Sequence, residues 1–266
     1  MKLYITAWAA LTGLSIVPLT AGPAGAAVKL RILDGRPIVS GVYLNRHGPY
    51  QFLLDTGTTL NHLDPWLAKS IGLKPTFRTP LLSATGVISV NGAEGIEVTL
   101  GPVRADGQTF LLGGLDTIQR SLQDVQGVLG QAFLSRFDYL LDLRSRRIEF
   151  GTRELAAGAT RASFESIAGR PAVSTSLGSM VLDSGTVSVT LFGIRAPIIT
   201  HEMFTMTGRA RVGKVSGELV IGGRRFWHGE AVAIPRPAET GAAGLMPVSL
   251  FKAVYVSNSE SYVLLD

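Results

Sequence analysis

Two short stretches decide the fold of this 266-residue chain: FLLDTGT at residues 52–58 and MVLDSGT at residues 180–186. Each is an apolar run that ends in an aspartate, a hydroxyl residue and a glycine. An apolar strand with this ending delivers a carboxylate at the mouth of a loop, and the glycine allows a turn that a larger residue would resist. One such triplet alone is typical of an ordinary β-turn, so the second copy is the informative feature.

The second copy belongs to a repeat that runs through the chain. GRPIVS at residues 35–40 returns as GRPAVS at residues 169–174, which is an offset of 134 residues (169 − 35). Toward the C-terminus the offset falls to 128 between the two aspartates (183 − 55) and to 117 between Gly127 and Gly244 (244 − 127). The order of the matches never crosses. Two copies of one fold produce this pattern when the second copy has shorter loops.

The repeat predicts two lobes, at residues 27–152 and 166–266, joined by a linker at residues 153–165 that lacks strand alternation. The chain is long enough for each lobe to bury a core. With 46% hydrophobic and 17% charged residues, 31 glycines and 13 prolines, the composition favours many short strands joined by tight turns. We therefore expect an all-β, two-lobed fold built by internal duplication, with a few short helices.

Local patterns in the first lobe predict individual elements. Asp64 and Pro65 are typical of an N-cap and a first helical position, and Gly72 of a helix end. Alternating apolar residues indicate strands. The expected elements are strands at 38–44 and 51–54 around a turn at 47–49, a helix between 64 and 72, a hairpin from 87–90 and 96–100, a helical turn around 133–137, and a strand pair at 139–143 and 147–150.

The N-terminus predicts a signal peptide at residues 1–26. Lys2 precedes an apolar run from Leu3 to about Leu19, and Ala24-Gly25-Ala26 fits a cleavage motif. We therefore expect a secreted or periplasmic protein that has no membrane contact after cleavage. An uncleaved membrane anchor is the alternative, because the run is near the lower length limit for a span.

Composition and motif spacing narrow the function classes. The chain has no cysteine, which excludes disulfides, a thiolate nucleophile and Cys-ligated zinc. The net charge of +5 comes from scattered basic residues, so no nucleic-acid partner is expected. Residues 208–214 have the spacing of a phosphate-binding loop, but Val215 stands where serine or threonine is required. The four histidines show no i, i+4 pair and there is no G-x-S-x-G motif, so we predict no metal, no cofactor and no serine hydrolase site.

The chain resembles the aspartic protease clan, which includes pepsins and retroviral proteases, and most of all the bacterial retropepsin-like aspartyl proteases. The resemblance in lobe one rests on FLLDTGTT at 52–59, LAKSIGL at 67–73 and GVLGQAFL at 127–134. In lobe two it rests mainly on residues 180–186, and Pro247 stands where the family pattern has glycine. A pepsin-like bilobal fold is the implied architecture.

The resemblance also implies a site. Asp55 and Asp183 are the catalytic pair by this reading. The residues expected to support their loops are Thr56 and Ser184, which brace the loops against each other, Thr58 and Thr186, which bond to the outer carboxylate oxygens, and the glycines Gly57 and Gly185. Thr85-Gly86 and Thr207-Gly208 are the candidate tips of flap hairpins, with ordinary hairpin turns as the alternative. Neither candidate flap carries the tyrosine of a pepsin.

The expected chemistry follows from the pairing of two carboxylates. Two carboxylates a few ångströms apart do not both ionise readily, so the pair holds one proton. One aspartate then acts as the base for an attacking water and its partner as the acid. The sequence leaves open which aspartate holds the proton, because a coupled pair titrates as a unit. We predict a monomeric aspartic endopeptidase that acts on polypeptides. The alternatives are a catalytically silent peptide-binding protein with the same fold, or an enzyme active only as a dimer.

Overall fold

The computed structural model describes residues 27–83, 86–151, 158–194, 199–205, 208–236 and 241–266. The predicted signal peptide at 1–26 lies outside the described residues, as do Thr85 and Thr207. The fold is 60% strand and 8% helix, which confirms the all-β prediction. Within the described part, no helix combines the length and the apolar character needed to cross a membrane.

The elements of the first repeat follow one another in chain order. They are β1 (Ala27–Leu33), β2 (Arg36–Leu44), β3 (His47–Leu54), β4 (Asn61–Leu63), α1 (Pro65–Ser70), β5 (Phe77–Ser83), β6 (Gly86–Leu100), β7 (Val103–Leu112), α2 (Asp116–Ser121), β8 (Gly127–Leu129), α3 (Gln131–Leu134), β9 (Tyr139–Asp142) and β10 (Arg147–Phe150).

The second repeat gives a similar series. Its elements are β11 (Thr160–Ile167), β12 (Arg170–Thr175), β13 (Gly178–Asp183), β14 (Thr190–Phe192), β15 (Ile199–Thr205), β16 (Gly208–Ile221), β17 (Arg224–Ile234), β18 (Gly244–Pro247), a 3₁₀ turn (Val248–Leu250), β19 (Ala253–Ser257) and β20 (Tyr262–Leu265). Residues 208–214, which have the spacing of a phosphate-binding loop, lie inside strand β16.

The strand that leads to each aspartate is the inner strand of its lobe. In lobe one, β3 pairs with β2 on one side and runs parallel to β8 on the other, with Phe52 opposite Gly127. In lobe two, β13 lies in the same way between β12 and β18, with Met180 opposite Gly244. Phe52 and Met180 are 128 residues apart (180 − 52), and their partners Gly127 and Gly244 are 117 residues apart (244 − 127), so the strand pairing gives the same offsets as the sequence repeat. Strands buried on both faces read as continuous apolar runs, which explains the FLL and MVL segments.

A six-stranded antiparallel sheet joins the lobes in the order β1-β10-β9-β19-β20-β11. Its centre lies between β9 and β19, where Leu140 is opposite Tyr255, and each half repeats the other. Buried apolar residues from both lobes form one continuous cluster, in which Leu54 and Leu182 are fully buried. The cores of the two lobes are therefore joined rather than separate.

Several local predictions are confirmed. Helix α1 begins after Asp64, whose carboxylate accepts hydrogen bonds from the backbone N–H groups of Trp66 (2.8 Å) and Leu67 (3.0 Å). This is the expected N-cap arrangement. The helical turn after Gly130 is α3, and the predicted closing strands are the antiparallel pair β9 and β10.

Other local predictions are wrong, each for a physical reason. Residues 47–49 belong to β3, because the turn is formed by Asn45 and Arg46, both at positive φ. The predicted hairpin from 87–90 and 96–100 is the single strand β6, in which Gly95 at φ 76° takes up a register irregularity between Ala93 and Ile96 instead of a turn. Residues 160–165 of the predicted linker form most of β11, which pairs with β20 and β12.

Candidate active site

The structure brings the two predicted aspartates together within one chain. Asp55 follows directly on β3, and Asp183 is the last residue of β13. Both strands run parallel to their neighbours β8 and β18, so each carboxyl group emerges at the carboxyl end of a parallel pair. Asp55 is 8% exposed and Asp183 7% exposed. The carboxyl groups are thus nearly buried while still reachable from solvent.

Four reciprocal hydrogen bonds lock the two loops together. The backbone N–H of Thr56 donates to Oγ of Ser184 (2.9 Å), and the N–H of Ser184 donates to Oγ1 of Thr56 (3.0 Å). The Thr56 hydroxyl donates to the Leu182 carbonyl and the Ser184 hydroxyl to the Leu54 carbonyl, both at 2.7 Å. Both side chains are fully buried. The loops therefore have the mutual bracing that the resemblance implies.

Gly57 and Gly185 allow the carboxyl groups to approach so closely. A Cβ atom on Gly57 would collide with the carboxyl group of Asp183, and one on Gly185 would lie 2.5 Å from Oδ2 of Asp55. Each glycine therefore lies against the aspartate of the other lobe. Any side chain at either position would push the two loops apart.

The two carboxylates have different hydrogen-bond donors. For Asp55, Oδ1 accepts from the N–H of Gly57 and Oδ2 from the hydroxyl of Thr58, both at 2.9 Å. For Asp183, Oδ1 accepts from both the Gly185 N–H (2.7 Å) and the Thr186 N–H (3.0 Å).

Thr186 departs from the expected arrangement. Its hydroxyl donates to the Ser188 carbonyl at 3.4 Å instead of to an outer carboxylate oxygen of Asp183. Thr58 occupies the equivalent position in lobe one and does make the expected bond. Asp55 thus has a donor on each oxygen, whereas the donors to Asp183 converge on Oδ1.

Burial raises the pKa of Asp183 to about 8, and the neighbouring Asp55 adds to the shift through its negative charge and a side-chain hydrogen bond. The N–H groups of Gly185 and Thr186 act in the opposite direction because they favour the carboxylate. Removal from water outweighs them, so the pair retains a proton at a pH where an isolated aspartate is ionised.

A polar layer beneath the Asp55 loop was not foreseen from the sequence. The side-chain N–H of Gln131 donates to the Thr56 carbonyl (2.8 Å), and Oδ1 of Asn61 accepts from the Gly130 N–H (3.0 Å). Both side chains are nearly or fully buried. The sequence signal that could have revealed Gln131 is its position in the GVLGQAFL stretch, two residues after the last residue of the apolar strand β8.

Lobe two replaces this layer with apolar residues. By the strand registers, Gly130 and Gln131 correspond to Pro247 and Val248, which offer neither a backbone N–H at the first position nor a polar side chain at the second. Pro247 nonetheless ends β18 opposite Asp183, so the proline does not disrupt the parallel pair. The Asp55 loop is therefore supported by polar groups, whereas the equivalent positions under the Asp183 loop are apolar.

The two glycines of the candidate flap tips each begin a strand. Gly86 begins β6 and pairs with Ser83 of β5, and Gly208 begins β16 and pairs with Thr205 of β15. The threonines of both tips, Thr85 and Thr207, lie outside the described residues.

Two arginines next to the aspartate loops were missed. Arg36 donates from Nε to the Gly185 carbonyl (2.7 Å), and Arg170 from Nη1 to the Gly57 carbonyl (3.5 Å), so each crosses to the loop of the other lobe. The repeat carried the signal, because the two arginines occupy the same place in GRPIVS and GRPAVS.

Comparison with known proteins agrees with this geometry. A family model described as Aspartyl protease matches residues 40–133, which include the Asp55 loop and strand β8. No match was found among curated proteins.

Proposed function

Through residues 40–133 the chain belongs to the aspartic protease clan and its retropepsin-like family, and from this premise we propose that it is an aspartic endopeptidase. The observation that carries the proposal is the interlocked pair of loops that holds Asp55 and Asp183 against each other. The family match by itself supports a peptidase in general. The assignment of both aspartates as catalytic rests on the site geometry.

The unequal hydrogen-bond donors support a division of roles. Asp55 accepts a hydrogen bond on each carboxylate oxygen, from the Gly57 N–H and the Thr58 hydroxyl. Among the described residues no backbone N–H or hydroxyl group donates to Oδ2 of Asp183, and burial raises the pKa of this carboxyl group. In the proposed mechanism the shared proton therefore resides mainly on Asp183.

The reaction then proceeds without a covalent intermediate. Asp55 removes a proton from the attacking water as the oxygen bonds to the scissile carbonyl carbon, and Asp183 donates its proton to the developing oxyanion. When the tetrahedral intermediate collapses, the C–N bond breaks, Asp55 donates the proton that it took from water to the leaving amine, and a hydroxyl of the intermediate returns a proton to Asp183. Gly57 and Gly185 keep the two groups close, so little rearrangement accompanies proton transfer.

We also propose that the protein is exported. The apolar run after Lys2 and the small residues before Ala27 support a cleaved signal peptide, and hence a secreted or periplasmic enzyme that acts as a monomer on polypeptides. The meeting of both aspartate loops within one chain supports activity without a second copy.

The test is digestion of an unfolded protein such as casein between about pH 3 and 8, with released peptides measured by mass spectrometry. We expect Asp55→Asn and Asp183→Asn each to lower the rate at least about a thousand-fold. Asp124→Asn is the matched control, because its side chain is 67% exposed, and it should cleave like wild type. Retained cleavage in both site variants would contradict the proposal. Peptide binding without any cleavage by wild type would favour the silent binding protein instead.

A further inference from the structure

The hairpins that carry Arg36 and Arg170 have the same backbone geometry. Arg36 follows Asp34-Gly35 and Arg170 follows Ala168-Gly169, and all four turn residues have positive φ. Two consecutive residues at positive φ form the tight turn that suits a two-residue hairpin. Arg36 begins β2 opposite Leu33, and Arg170 begins β12 opposite Ile167. Each guanidinium is therefore delivered from a defined turn to an equivalent place in its lobe.

Each hairpin turn also contacts the loop of the other lobe. The Thr59 hydroxyl of lobe one donates to the Ala168 carbonyl (2.8 Å), and a Cβ on Gly35 would lie 3.3 Å from the Val187 side chain of lobe two. Thr59 and Val187 both stand four residues after an aspartate. The two halves of the repeat are thus related by an approximate twofold, which places Arg36 beside the Asp183 loop and Arg170 beside the Asp55 loop.

The guanidinium groups have unused donors. A guanidinium has five N–H donors. Within the described residues, Arg36 uses one for the Gly185 carbonyl, and Arg170 uses two, for the Ile167 carbonyl (3.3 Å) and the Gly57 carbonyl. In that same part of the chain neither arginine has a carboxylate within ion-pair distance. Both side chains are half-buried, so their charge is only partly screened by water.

Arg170 lies within electrostatic range of the reacting groups. Burial lowers its pKa, and the charges of Asp183 and Asp55 act in the opposite direction. An aspartate pair that retains one proton carries a charge of −1, whereas the two arginines carry +2. The two aspartates and the two arginines together therefore carry a net charge of +1.

We propose that Arg36 and Arg170 select substrates with acidic side chains, one on each side of the scissile bond, through charge-assisted hydrogen bonds from their free N–H groups. This inference rests on the proposed peptidase function and names its substrate class. Arginine is suited to bind a carboxylate because its planar guanidinium can donate two parallel hydrogen bonds to the two carboxylate oxygens. The pseudo-twofold relation assigns the two arginines to opposite halves of the bound peptide.

The experiment uses peptides built around a bond that the full-length protein cleaves in casein. Each position on either side of that bond carries glutamate in one peptide and glutamine in its partner, and kcat/KM is measured for both. For wild type we expect glutamate to be favoured about tenfold at one position on each side, which is the range of a single charged hydrogen bond. Arg36→Gln should abolish the preference on one side only, and Arg170→Gln on the other.

Arg31→Gln is the matched control, because Arg31 lies on the same hairpin as Arg36 but is 43% exposed and pairs with Asp124. It removes the same charge and should leave the glutamate-to-glutamine ratio unchanged. A wild-type ratio near one would overturn the inference while leaving the peptidase function intact. The same holds if the arginine variants lower kcat/KM equally for both peptides, since that result indicates a purely structural role.

A binding measurement separates this inference from the proposed function. Fluorescent forms of the same peptides are titrated into the Asp55→Asn protein, which is expected to bind without cleaving. A roughly tenfold tighter Kd for the glutamate peptides, lost in the Arg36→Gln and Arg170→Gln backgrounds, supports the arginine roles even if no turnover is found. Equal Kd values for the two peptide series would overturn them.

Discussion

Thr56→Val is expected to lower the free energy of unfolding by about 2–6 kcal/mol. The Thr56 side chain is fully buried, and its hydroxyl both donates to the Leu182 carbonyl and accepts from the Ser184 N–H. Valine keeps the shape of the side chain but removes both bonds. It leaves a carbonyl and an N–H group buried without partners, each at a cost of about 1–3 kcal/mol. Because Asp55 is the preceding residue, peptide cleavage should fall as well.

Guanidinium chloride unfolding followed by circular dichroism measures this change. Thr56→Ser keeps the hydroxyl and imitates Ser184 of lobe two, so it should lose only about 1 kcal/mol for the missing methyl group. Thr76→Val alters an exposed threonine and should shift stability by less than about 0.5 kcal/mol. Equal stability of Thr56→Val and Thr76→Val, or of Thr56→Ser and Thr56→Val, would contradict the stabilising role of the Thr56 hydroxyl.

Three further outcomes follow from the site and from helix α1. The pKa of Asp183 is raised from 3.8 to about 8 in the folded state, so the native protein binds more protons than the unfolded chain between these pH values. The free energy of unfolding should therefore fall as pH rises from about 4 to 8. Asp183→Asn should weaken this pH dependence in unfolding experiments at pH 4, 6 and 8. Gly57→Ala should abolish casein cleavage because its Cβ collides with Asp183, whereas Gly241→Ala, which meets nothing within 4 Å, should cleave normally; equal rates would contradict the close packing. Asp64→Ala removes the N-cap of α1 and should lower the unfolding free energy by about 1 kcal/mol, and an unchanged denaturation midpoint would show that the cap is dispensable.

The fold could be predicted from the sequence because the repeat shows which short segments occupy equivalent places in the two lobes. The offsets of 134, 128 and 117 residues, read from short matches, equal the shifts between corresponding strand registers in the two lobes. The Asp55 and Asp183 loops were predictable for the same reason. Strand β6 was not, because Gly92 and Gly95 look like turn residues, and only the pairing with β7 shows that the strand continues through an irregularity.

The contacts that cross between lobes could not be read from the sequence. Arg36 and Arg170 donate to carbonyl groups more than a hundred residues away, and that pairing depends on how the lobes are placed by the sheet that joins them. The hydroxyl of Thr186 likewise turns to Ser188 rather than to Asp183, although the local sequence resembles that after Asp55. Side-chain direction within a short loop depends on its three-dimensional surroundings more than on its residue types.

The most direct test of the account is a pH titration of ¹³C-labelled aspartate carboxyl groups by NMR, with Asp55 and Asp183 assigned through single asparagine variants. We predict that one proton stays on the pair above neutral pH, that Asp183 holds most of it, and that Asp55→Asn lowers the midpoint of Asp183 by removing the neighbouring charge. If both carboxyl groups instead lose their protons independently near pH 4, the two aspartates do not share a proton and the proposed mechanism is wrong.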